Sequence, residues 1–484
     1  MNEMRIAEQG EATATAQRAA SAGPPVRDAR VAGDPAAGDP VLRWLSRVLV
    51  ERYGLPVSLR REEADRLSLR LEGEAGRILF DRRQPDFFLV GAELPHGQWA
   101  AEAEGFRPPL GMSLPAPGDA GLPTPLVEQD AEGWVVHYDI PGLTYWMLSR
   151  QEEVDAEARD RHGRFPAGAS HAGRYGYLDR PVVDEWLDIL GQVMQRQWPG
   201  VALREHRFTT RPTHDVDRPS RYGFAGDVRL LRVMAGDTLR HRRPQALLLG
   251  PWVWLTTRRA LHPLDPLNTF DWLMATSERH GLTSAFYFIC GRTDPRMDAD
   301  YEPEHPAIRH LLRRIHARGH EIGLHPSYHT YRNPKELTNE AERLRRVCTE
   351  EGIEQAAWGG RMHYLRWHTP LTLQGWQQAG MSYDSTLGYA EMPGFRCGTC
   401  FEYPAFDPVR GEAPGLRIRP LIAMESSVIG ASYLGLGTGE AAFERFVTLK
   451  SRCRAVGGSF TLLWHNSELV TTKQRALYER VLAA

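Results

Sequence analysis

Two pairs of potential metal ligands in the second half of the chain carry the clearest chemistry. His325 and His329 are close enough in sequence for a turn of the chain to bring both imidazoles to one divalent ion. Asp215 and Asp217 are separated by one residue, so in an extended strand both carboxylates point to the same face. One aspartate with two histidines is a common ligand set for hydrolytic zinc, with positions left open for water and a substrate oxygen. The spacing indicates a metal-dependent hydrolase.

Three further polar residues stand where predicted strands end. Arg361, Asp384 and His465 each follow or close a short extended run. The carboxyl ends of the strands in a parallel barrel open on one face, so these side chains are expected to meet the aspartates and histidines there. Metal-assisted hydrolysis needs a base for the water and an acid for the leaving group. The second carboxylate and His465 suit these two roles, while Arg361 would orient the base and Asp384 the histidine.

The order of predicted elements places these residues on an α/β fold. Strand candidates alternate with helical stretches across residues 201–484, as expected of βα units. The run Asn333-Pro334-Lys335-Glu336 combines an N-cap, a proline in the first turn and an acidic residue, and so marks the start of a helix. The predicted strands are 207–212, 283–290, 320–325, 356–360, 381–385, 416–422 and 459–465, and the predicted helices include 268–280, 307–318 and 333–351. We expect a distorted (β/α)7-type barrel, with a doubly wound sheet as the alternative.

The first 200 residues are predicted to divide into a tail and a smaller domain. Residues 1–40 are rich in Ala, Gly and Pro and cannot bury enough apolar surface to offset the entropy of ordering, which predicts a disordered tail. Residues 41–200 are predicted to form an accessory α+β domain that ends in an amphipathic helix over 182–197. We find no catalytic constellation in residues 41–200. The predicted barrel domain is therefore 201–484.

Composition narrows the class of protein. The 484 residues are 42% hydrophobic and 25% charged with a formal net charge of −2, a globular balance that does not favour nucleic-acid binding. Five cysteines in so long a chain do not make a disulfide framework, and a reducing compartment fits best. The N-terminal residues lack the apolar segment of a secretory signal. These features predict a cytoplasmic protein and leave its oligomeric state open.

The motifs together resemble a known family. Thr-x-Asp, His-x-x-x-His, Arg-x-x-Tyr, Asp and Leu-x-His occur in this order over residues 205–470. This order is similar to that of the NodB-homology polysaccharide deacetylases, carbohydrate esterase family 4. The resemblance implies a distorted (β/α) barrel and a divalent metal, usually zinc. It also implies roles for single residues: Asp215 as catalytic base, His325 and His329 as metal ligands, Arg361 positioning the base, Tyr364 donating its backbone N–H to the oxyanion, and Asp384 tuning the general acid His465.

The chain departs from the family pattern at three places. Asp215-Val216-Asp217 stands where the family has two adjacent aspartates followed by glycine. We assign Asp217 to the metal and Asp215 to the base, with the exchange of these roles, or a loss of metal affinity, as the alternatives. Pro326 replaces a small hydroxyl residue, and Met362-His363 replaces two prolines. These changes indicate a divergent branch, and residues 145–153 and 160–165 resemble an accessory domain found in front of some divergent deacetylases.

Three other features have less specific interpretations. His214-Asp215 resembles the dyad of HD-type phosphohydrolases, but it is predicted to end a strand, whereas those dyads lie in helices. Cys397-Gly398-Thr399-Cys400 lacks a second cysteine pair at zinc-finger spacing, and we interpret it as a loop near the barrel mouth. The arginine-rich segment 218–262 encloses an apolar run too short to span a bilayer. Contact with a membrane surface is one interpretation of this run, and a buried helix is the default.

These observations converge on a functional hypothesis. We expect a metal-dependent hydrolase that removes an N-acetyl group from a sugar, an oligosaccharide or a lipid-linked glycan. A hydrolase of a linear amide outside carbohydrate chemistry would use the same residues. A catalytically silent protein that binds or assembles glycans is the alternative from another class, because the first motif is altered.

Overall fold

The first part of the chain forms a mixed sheet covered by helices. The computed structural model describes residues 38–239 and 242–484, so most of the predicted tail 1–40 lies outside the described residues. The strands are β1 (Val57–Arg61), β2 (Leu67–Leu71), β3 (Arg77–Phe80), β4 (His96–Trp99), β5 (Leu114–Pro117), β6 (Val127–Gln129) and β7 (Gly133–Val136). The helices are α1 (Pro40–Tyr53), α2 (Ile140–Leu148), α3 (His171–Arg174) and α4 (Val182–Gln197). Five strands run in the order β1-β2-β3-β7-β6, and β4 and β5 form a separate hairpin.

Local signals explain where the helices of this part begin and end. Asp39 caps α1 by accepting a hydrogen bond from the Val41 N–H at 3.0 Å, and Gly54 ends it in a left-handed conformation with φ of 71°. The predicted helix over 182–197 is confirmed as α4, whose buried face is mostly apolar but includes Asp184 and Glu185, and which packs against α2 and β5.

The second part of the chain is built on a nine-stranded sheet. Its strands are β8 (Thr209–Val216), β9 (Ala285–Phe288), β10 (Glu321–Leu324), β11 (Gly359–Gly360), β12 (Tyr383–Asp384), β13 (Tyr403–Pro404), β14 (Arg417–Ile418), β15 (Ala423–Met424) and β16 (Ser459–Leu463). The helices are α5 (Asp227–Leu239), α6 (Ala246–Thr256), α7 (Phe270–Arg279), α8 (Pro306–Ala317), α9 (Pro334–Glu350), α10 (Leu371–Gln378), α11 (Glu425–Ile429), α12 (Glu440–Ala455) and α13 (Thr472–Ala483). No helix in the described ranges combines the length and apolar character needed to cross a bilayer.

The sheet confirms the α/β class but differs from a seven-stranded barrel. The strand order is β13-β14-β12-β11-β10-β9-β8-β16-β15, with every pair parallel except β13 and β14. Within the described residues the edge strands β13 and β15 are not joined, so the ladder stays open. The two additional strands, β13 and β15, span only two residues each, which is too short for a periodic sequence signal. The sheet curls, and the carboxyl ends of β8, β10, β11 and β16 meet on one side.

The two parts share one core. A single cluster of buried apolar side chains includes residues of both parts of the chain, among them Trp44, Trp186, Phe286 and Trp464. Trp44 of α1 also donates a hydrogen bond through Nε1 to the Pro404 carbonyl at 2.9 Å. The predicted division at residue 200 stays a prediction, since the packing is continuous across it.

Candidate active site

Strand ends bring three potential metal ligands together. Asp217 follows β8, His325 follows β10 and His363 lies shortly after β11. Their ligand atoms all lie within 4.8 Å of one another, the one such group of histidine and carboxylate atoms found in the described part of the chain. The Nε2 atoms of His325 and His363 lie 3.3 Å and 3.7 Å from Asp217 Oδ1. One carboxylate and two imidazoles therefore face a common point.

The second nitrogen of each imidazole is fixed by another group. His325 Nδ1 donates a hydrogen bond to the Arg361 carbonyl at 2.6 Å, and His363 Nδ1 lies 3.0 Å from Asp298 Oδ1. Burial raises the pKa of Asp298, but hydrogen bonds from His363 and from backbone N–H groups outweigh it and keep that pKa below its usual value. Such partners orient metal-binding histidines and hold Nε2 toward the ligand. Both histidines are thus pre-set to present Nε2 to Asp217.

Asp217 has an acceptor oxygen that fits a cation. Its Oδ1 atom is shielded from solvent and accepts no hydrogen bond of good geometry from a described residue, although His325 Nε2 is near. Removal from water raises the pKa of the Asp217 carboxyl, but the charges of His363, His325 and His465 outweigh this and hold it well below its usual range. A buried anionic oxygen without a donor is costly unless a positive group faces it. The donor set of Asp217, His325 and His363 therefore fits a divalent transition ion.

The predicted ligand His329 does not reach this group. Its side chain is 55% exposed, and its Nε2 lies 3.5 Å from Asp294 Oδ2 on the surface. The preceding residues explain the direction: the Tyr328 N–H donates to Asp298 at 2.7 Å, and the Tyr328 ring packs 3.9 Å from the Arg366 guanidinium. With Tyr328 turned inward, His329 faces solvent. The structure therefore does not bring His329 to His325, and His363 is the histidine that lies with His325 and Asp217.

Asp215 and Arg361 form a buried ion pair beside the three ligands. Arg361 Nη1 donates to Asp215 Oδ1 at 2.8 Å, and both side chains are almost fully buried. The rest of the guanidinium is held by Ser385, whose carbonyl and hydroxyl oxygens accept from Nε and Nη2 at 2.8 Å and 3.0 Å. Asp215 Oδ2 lies 3.6 Å from His325 Nε2. This contact keeps the Asp215 carboxylate next to the candidate metal position.

His465 is paired with a carboxylate that differs from the predicted one. Its Nδ1 lies 2.6 Å from Oε1 of the buried Glu425, and its Nε2 lies 3.8 Å from Asp217 Oδ2. Burial lowers the pKa of His465, but the Glu425 carboxylate outweighs it and raises the pKa to about 10. Asp384 is instead held by Thr386, whose N–H donates to it at 2.9 Å, and burial raises the pKa of Asp384 to about 7. The expectation that Asp384 orients His465 is wrong. Asp384 ends β12, and four strands of the sheet separate β12 from β16, which precedes His465. Glu425 follows β15, the direct neighbour of β16.

These groups open into a small cavity of about 140 Å³. The polar side of the cavity consists of Asp215, Asp217, His325, His363 and His465, and the other side includes Leu365, Ala390, Met424, Tyr433 and Leu463. Arg164 from the first part of the chain also lines it. Its Nη1 donates to the Tyr364 carbonyl at 3.0 Å, and its Nε donates to Asp160 at 2.7 Å. The predicted accessory region thus contributes a cation to the rim of the site.

Tyr364 lines the same cavity in an unusual backbone conformation. Its φ of 61° lies in the left-handed region, which a residue with a side chain adopts only under constraint. The bond from Arg164 to its carbonyl and the packing of its ring 4.8 Å from the His162 ring supply that constraint. The donation of the Tyr364 N–H to an oxyanion stays a prediction.

Two other predicted features lie away from the cavity. His214 is buried on the opposite face of β8 from Asp215, with Nδ1 2.7 Å from the Trp464 carbonyl oxygen, because side chains alternate along a strand. This orientation does not match a metal-binding histidine–aspartate dyad. The loop 397–400 is not at the barrel mouth, since the Cys400 carbonyl accepts from Ser459 at the amino end of β16. The Cys400 N–H and thiol contact Asp184 of α4, which draws the loop to that end.

Sequence reasoning missed His363, Glu425 and Arg164. His363 stands where the resembling family has proline, which is the signal that would have found it. Glu425 follows a two-residue strand, and Arg164 belongs to the region 160–165 that carried no chemical assignment.

Known proteins resemble this chain over parts of its length. Residues 99–199 match the model of a family of unknown function (DUF7033), and no curated protein matches the chain. A putative polysaccharide deacetylase from Mycobacterium smegmatis has 17% sequence identity and a TM-score of 0.37, with 58% of this chain and 85% of that chain covered. The allantoinase Puue has 14% sequence identity and a TM-score of 0.35, with 59% of this chain and 85% of that chain covered. A probable polysaccharide deacetylase from Pseudomonas aeruginosa PAO1 has 16% sequence identity and a TM-score of 0.32, with 59% of this chain and 86% of that chain covered.

Proposed function

We propose that this chain is a metal-dependent hydrolase that removes an N-acetyl group from a sugar, an oligosaccharide or a lipid-linked glycan. One observation carries the proposal: Asp217, His325 and His363 face a common point, with the Asp215–Arg361 pair and the His465–Glu425 pair beside it around one cavity. A ligand set, a base and an acid are the three components that hydrolysis of an amide requires. The order of the motifs, which resembles that of the polysaccharide deacetylases, agrees with this chemistry.

The size of the cavity supports a small acyl group. An apolar cavity of about 150 Å³ can hold a molecule as small as benzene, so a space of about 140 Å³ has room for an acetyl group. Leu365, Met424 and Leu463 give it an apolar wall opposite the charged groups. An acetyl methyl would contact this wall while its carbonyl faces the polar side. The rest of the substrate would then lie outside, toward Arg164.

The metal ligands in this proposal are Asp217, His325 and His363. A divalent transition ion, zinc first among them, would supply Lewis-acid polarisation of the substrate carbonyl when held there. Asp215 lies outside the ligand set in this proposal, and its ion pair with Arg361 fixes its position. It can therefore take the proton from the attacking water as the carbon–oxygen bond forms.

His465 completes the reaction as the acid. Glu425 accepts its Nδ1–H and keeps the ring protonated at neutral pH, so Nε2 carries a proton toward the cavity. That proton passes to the leaving nitrogen as the carbon–nitrogen bond breaks, and the products are acetate and an amine. One proton has then moved from the water to Asp215 and one from His465 to the amine. The second hydrogen of the water stays on the carboxyl product and is released to solvent when acetic acid ionises to acetate. Exchange with solvent removes the proton from Asp215 and returns one to His465.

Three histidine variants test this assignment. Metal content of the purified full chain is measured with acetate release from N-acetylated oligosaccharides. We expect His363→Ala and His325→Ala to lose both bound metal and turnover, because each removes a ligand. His329→Ala serves as the matched control and is expected to retain both, because its side chain lies on the surface.

The opposite pattern overturns the assignment. Loss of metal in His329→Ala with retention in His363→Ala would restore the sequence-based ligand set. Metal binding without acetate release, but with turnover of linear amides, would reject the glycan substrate. Glycan binding by a protein that takes up no metal would reject the hydrolase.

A further inference from the structure

The exposed apolar surface of the molecule is concentrated in one insertion between β8 and β9. We call α5, α6 and the residues that follow to 264 the 227–264 hairpin, from which residues 240–241 are left out because they lie outside the described ranges. Nine of the seventeen large hydrophobic side chains exposed in the described residues lie in it: Val228, Leu231, Leu239, Leu247, Leu248, Trp252, Trp254, Leu255 and Leu264. Leu248 is 82% exposed and Trp252 58%. Exposed apolar patches of this kind mark interaction surfaces.

The inner side of the 227–264 hairpin is well packed, so the exposure is not a sign of an unfolded segment. Tyr222, Leu230, Met234 and Val253 form a small buried cluster between the two helices and the loop that precedes them. Helix α6 has no charged residue, and of its eleven residues only Ala246, Gly250 and Val253 are buried. Leu249 packs partly against this cluster, whereas Leu247, Leu248, Trp252, Trp254 and Leu255 are exposed. Water is a poor solvent for such a helix.

Charge distinguishes the partner of this surface. Arg232, Arg242, Arg258 and Arg259 are exposed within the 227–264 hairpin, and none forms an ion pair with a carboxylate in the ranges that the structure describes. Of the two acidic residues of the hairpin, Asp237 is buried and Asp227 is exposed. The surface therefore combines leucine and tryptophan with an excess of arginine. Apolar side chains that enter the interface and basic side chains that contact anionic lipids are the two components of binding to the surface of an anionic bilayer.

We propose that the 227–264 hairpin docks this protein onto the surface of anionic phospholipid bilayers. Leu247, Leu248, Trp252 and Leu255 would enter the interfacial region, where tryptophan is favoured, and the arginines would contact lipid phosphates. The helices lie on the membrane and do not span it, in agreement with the absence of a spanning helix among those described. This proposal is independent of the proposed hydrolase function.

The position of the 227–264 hairpin places the membrane near the mouth of the cavity. The hairpin follows β8, whose carboxyl end carries Asp217, and the preceding Arg218 carbonyl accepts from Asn466 beside His465 at 2.9 Å. Phe224 packs 5.0 Å from the His305 ring in the loop after β9. Docking would therefore orient the open end of the sheet toward the lipid surface. A substrate carried on a lipid would meet the cavity from that side.

Vesicle sedimentation with the full chain tests the proposal. Vesicles contain phosphatidylcholine alone or phosphatidylcholine with phosphatidylglycerol. We expect binding to the second kind and loss of binding at high salt. The affinity of the double variant Leu248→Ser, Trp252→Ser for these vesicles is expected to fall by roughly tenfold or more. The double variant Arg258→Gln, Arg259→Gln is expected to lose the preference for anionic lipid. Leu89→Ser, Val90→Ser removes apolar side chains exposed elsewhere and is expected to bind as the wild type.

Two results overturn the proposal. The first is a wild-type chain that sediments with neither kind of vesicle. The second is a wild type that dimerises in analytical ultracentrifugation and a Leu248→Ser, Trp252→Ser variant that does not, with equal vesicle binding by the two proteins. The surface would then be an interface between two copies of the chain. Unchanged circular dichroism of each variant shows that the substituted side chains, which are exposed, do not affect folding.

Discussion

At the scale of single residues, the contact between His465 and Glu425 decides the proposed acid. Glu425 is fully buried and lies 2.6 Å from His465 Nδ1, and this carboxylate outweighs burial to raise the pKa of His465. We expect Glu425→Gln to reduce turnover by about 10- to 100-fold, because the imidazolium loses its charged partner and its fixed orientation. The measurement is the rate of acetate release at neutral pH, with metal content determined on the same samples.

A second carboxylate near His465 provides the control for this prediction. Glu468 is within the electrostatic reach of His465 but hydrogen-bonds to Gln474 instead. Glu468→Gln is expected to keep turnover near the wild-type rate. Equal losses in both variants would mean that the general charge of the region matters and that the specific contact does not. Loss of metal from Glu425→Gln would assign Glu425 to the ligand position and not to the acid.

The individual residues also show how far the sequence predicts the site. Asp215, Asp217, His325, Arg361 and His465 lie within one cluster because each follows or ends a parallel strand, and the strand-end rule applies to all of them. The rule fails for His329, whose direction depends on the tertiary contacts of Tyr328. Such contacts between residues distant in sequence leave no mark in local spacing.

At the scale of elements, the two glycines of β11 let this strand lie close to its neighbours β10 and β12, whose carboxyl ends contribute to the site. An added Cβ at Gly360 would lie 1.9 Å from the Leu324 carbonyl oxygen, and one at Gly359 would lie 2.1 Å from the Tyr383 ring. These backbone and ring atoms cannot move without shifting β10 or β12. We expect Gly360→Ala to destabilise the fold by about 1–3 kcal/mol or more and to lower turnover, since Arg361 follows directly. Urea denaturation and acetate release measure the two effects.

A glycine without neighbours is the matched control. Gly415, just before β14, has no atom within 4 Å of an added Cβ, so Gly415→Ala is expected to leave stability and turnover near the wild-type values. Equal stability of the two variants would show that β10 and β11 can separate without cost, and that the close approach does not hold the site.

Elements with a periodic or capped sequence are the ones that could be predicted. The start of α9 follows from Asn333, whose side chain accepts from the Glu336 N–H at 3.2 Å, and the strands β9, β10 and β16 lie within their predicted ranges. β8 is longer than predicted and includes Asp215, because pairing with both β9 and β16 extends it. The two-residue strands exist only through such pairing. Their formation depends on the assembled sheet, which local sequence does not encode.

At the scale of the whole molecule, the first part of the chain is a structural component of the site. Its Arg164 reaches the cavity, and His162 accepts or donates a hydrogen bond with Tyr328 at 2.9 Å. A buried cluster also crosses between the two parts: Glu153 binds Arg396 at 2.6 Å and Arg150 at 2.8 Å. The predicted accessory role understates these contacts, because sequence periodicity describes each part separately and contains no information on how they pack.

This buried cluster predicts how the whole chain responds to loss of one charge. Glu153, Arg150 and Arg396 are nearly inaccessible to solvent, so Glu153→Gln leaves two buried guanidinium groups with reduced compensation. Breaking a buried ion pair costs about 3–5 kcal/mol. We expect the wild type and the variant each to unfold in one transition, because both parts share one core, and the transition of the variant to lie at a lower urea concentration. Glu157→Gln on the exposed surface is the control, with unchanged stability expected.

The pH dependence of the difference in unfolding free energy between the wild type and Glu153→Gln provides the stricter test. Burial raises the pKa of Glu153, but the two arginines outweigh it and lower the pKa from 4.5 to about 2 in the folded chain. A carboxyl with a depressed folded pKa contributes stability above its unfolded pKa and loses that contribution as pH falls toward the folded value. The free energy of unfolding should therefore differ most between wild type and Glu153→Gln near neutral pH, and the difference should shrink between pH 4.5 and about 2. If the difference in unfolding free energy stays constant over this range, the effect of the substitution comes from packing and not from charge. Separate unfolding transitions for residues 41–200 and 201–484 would show that the shared core does not couple the two parts.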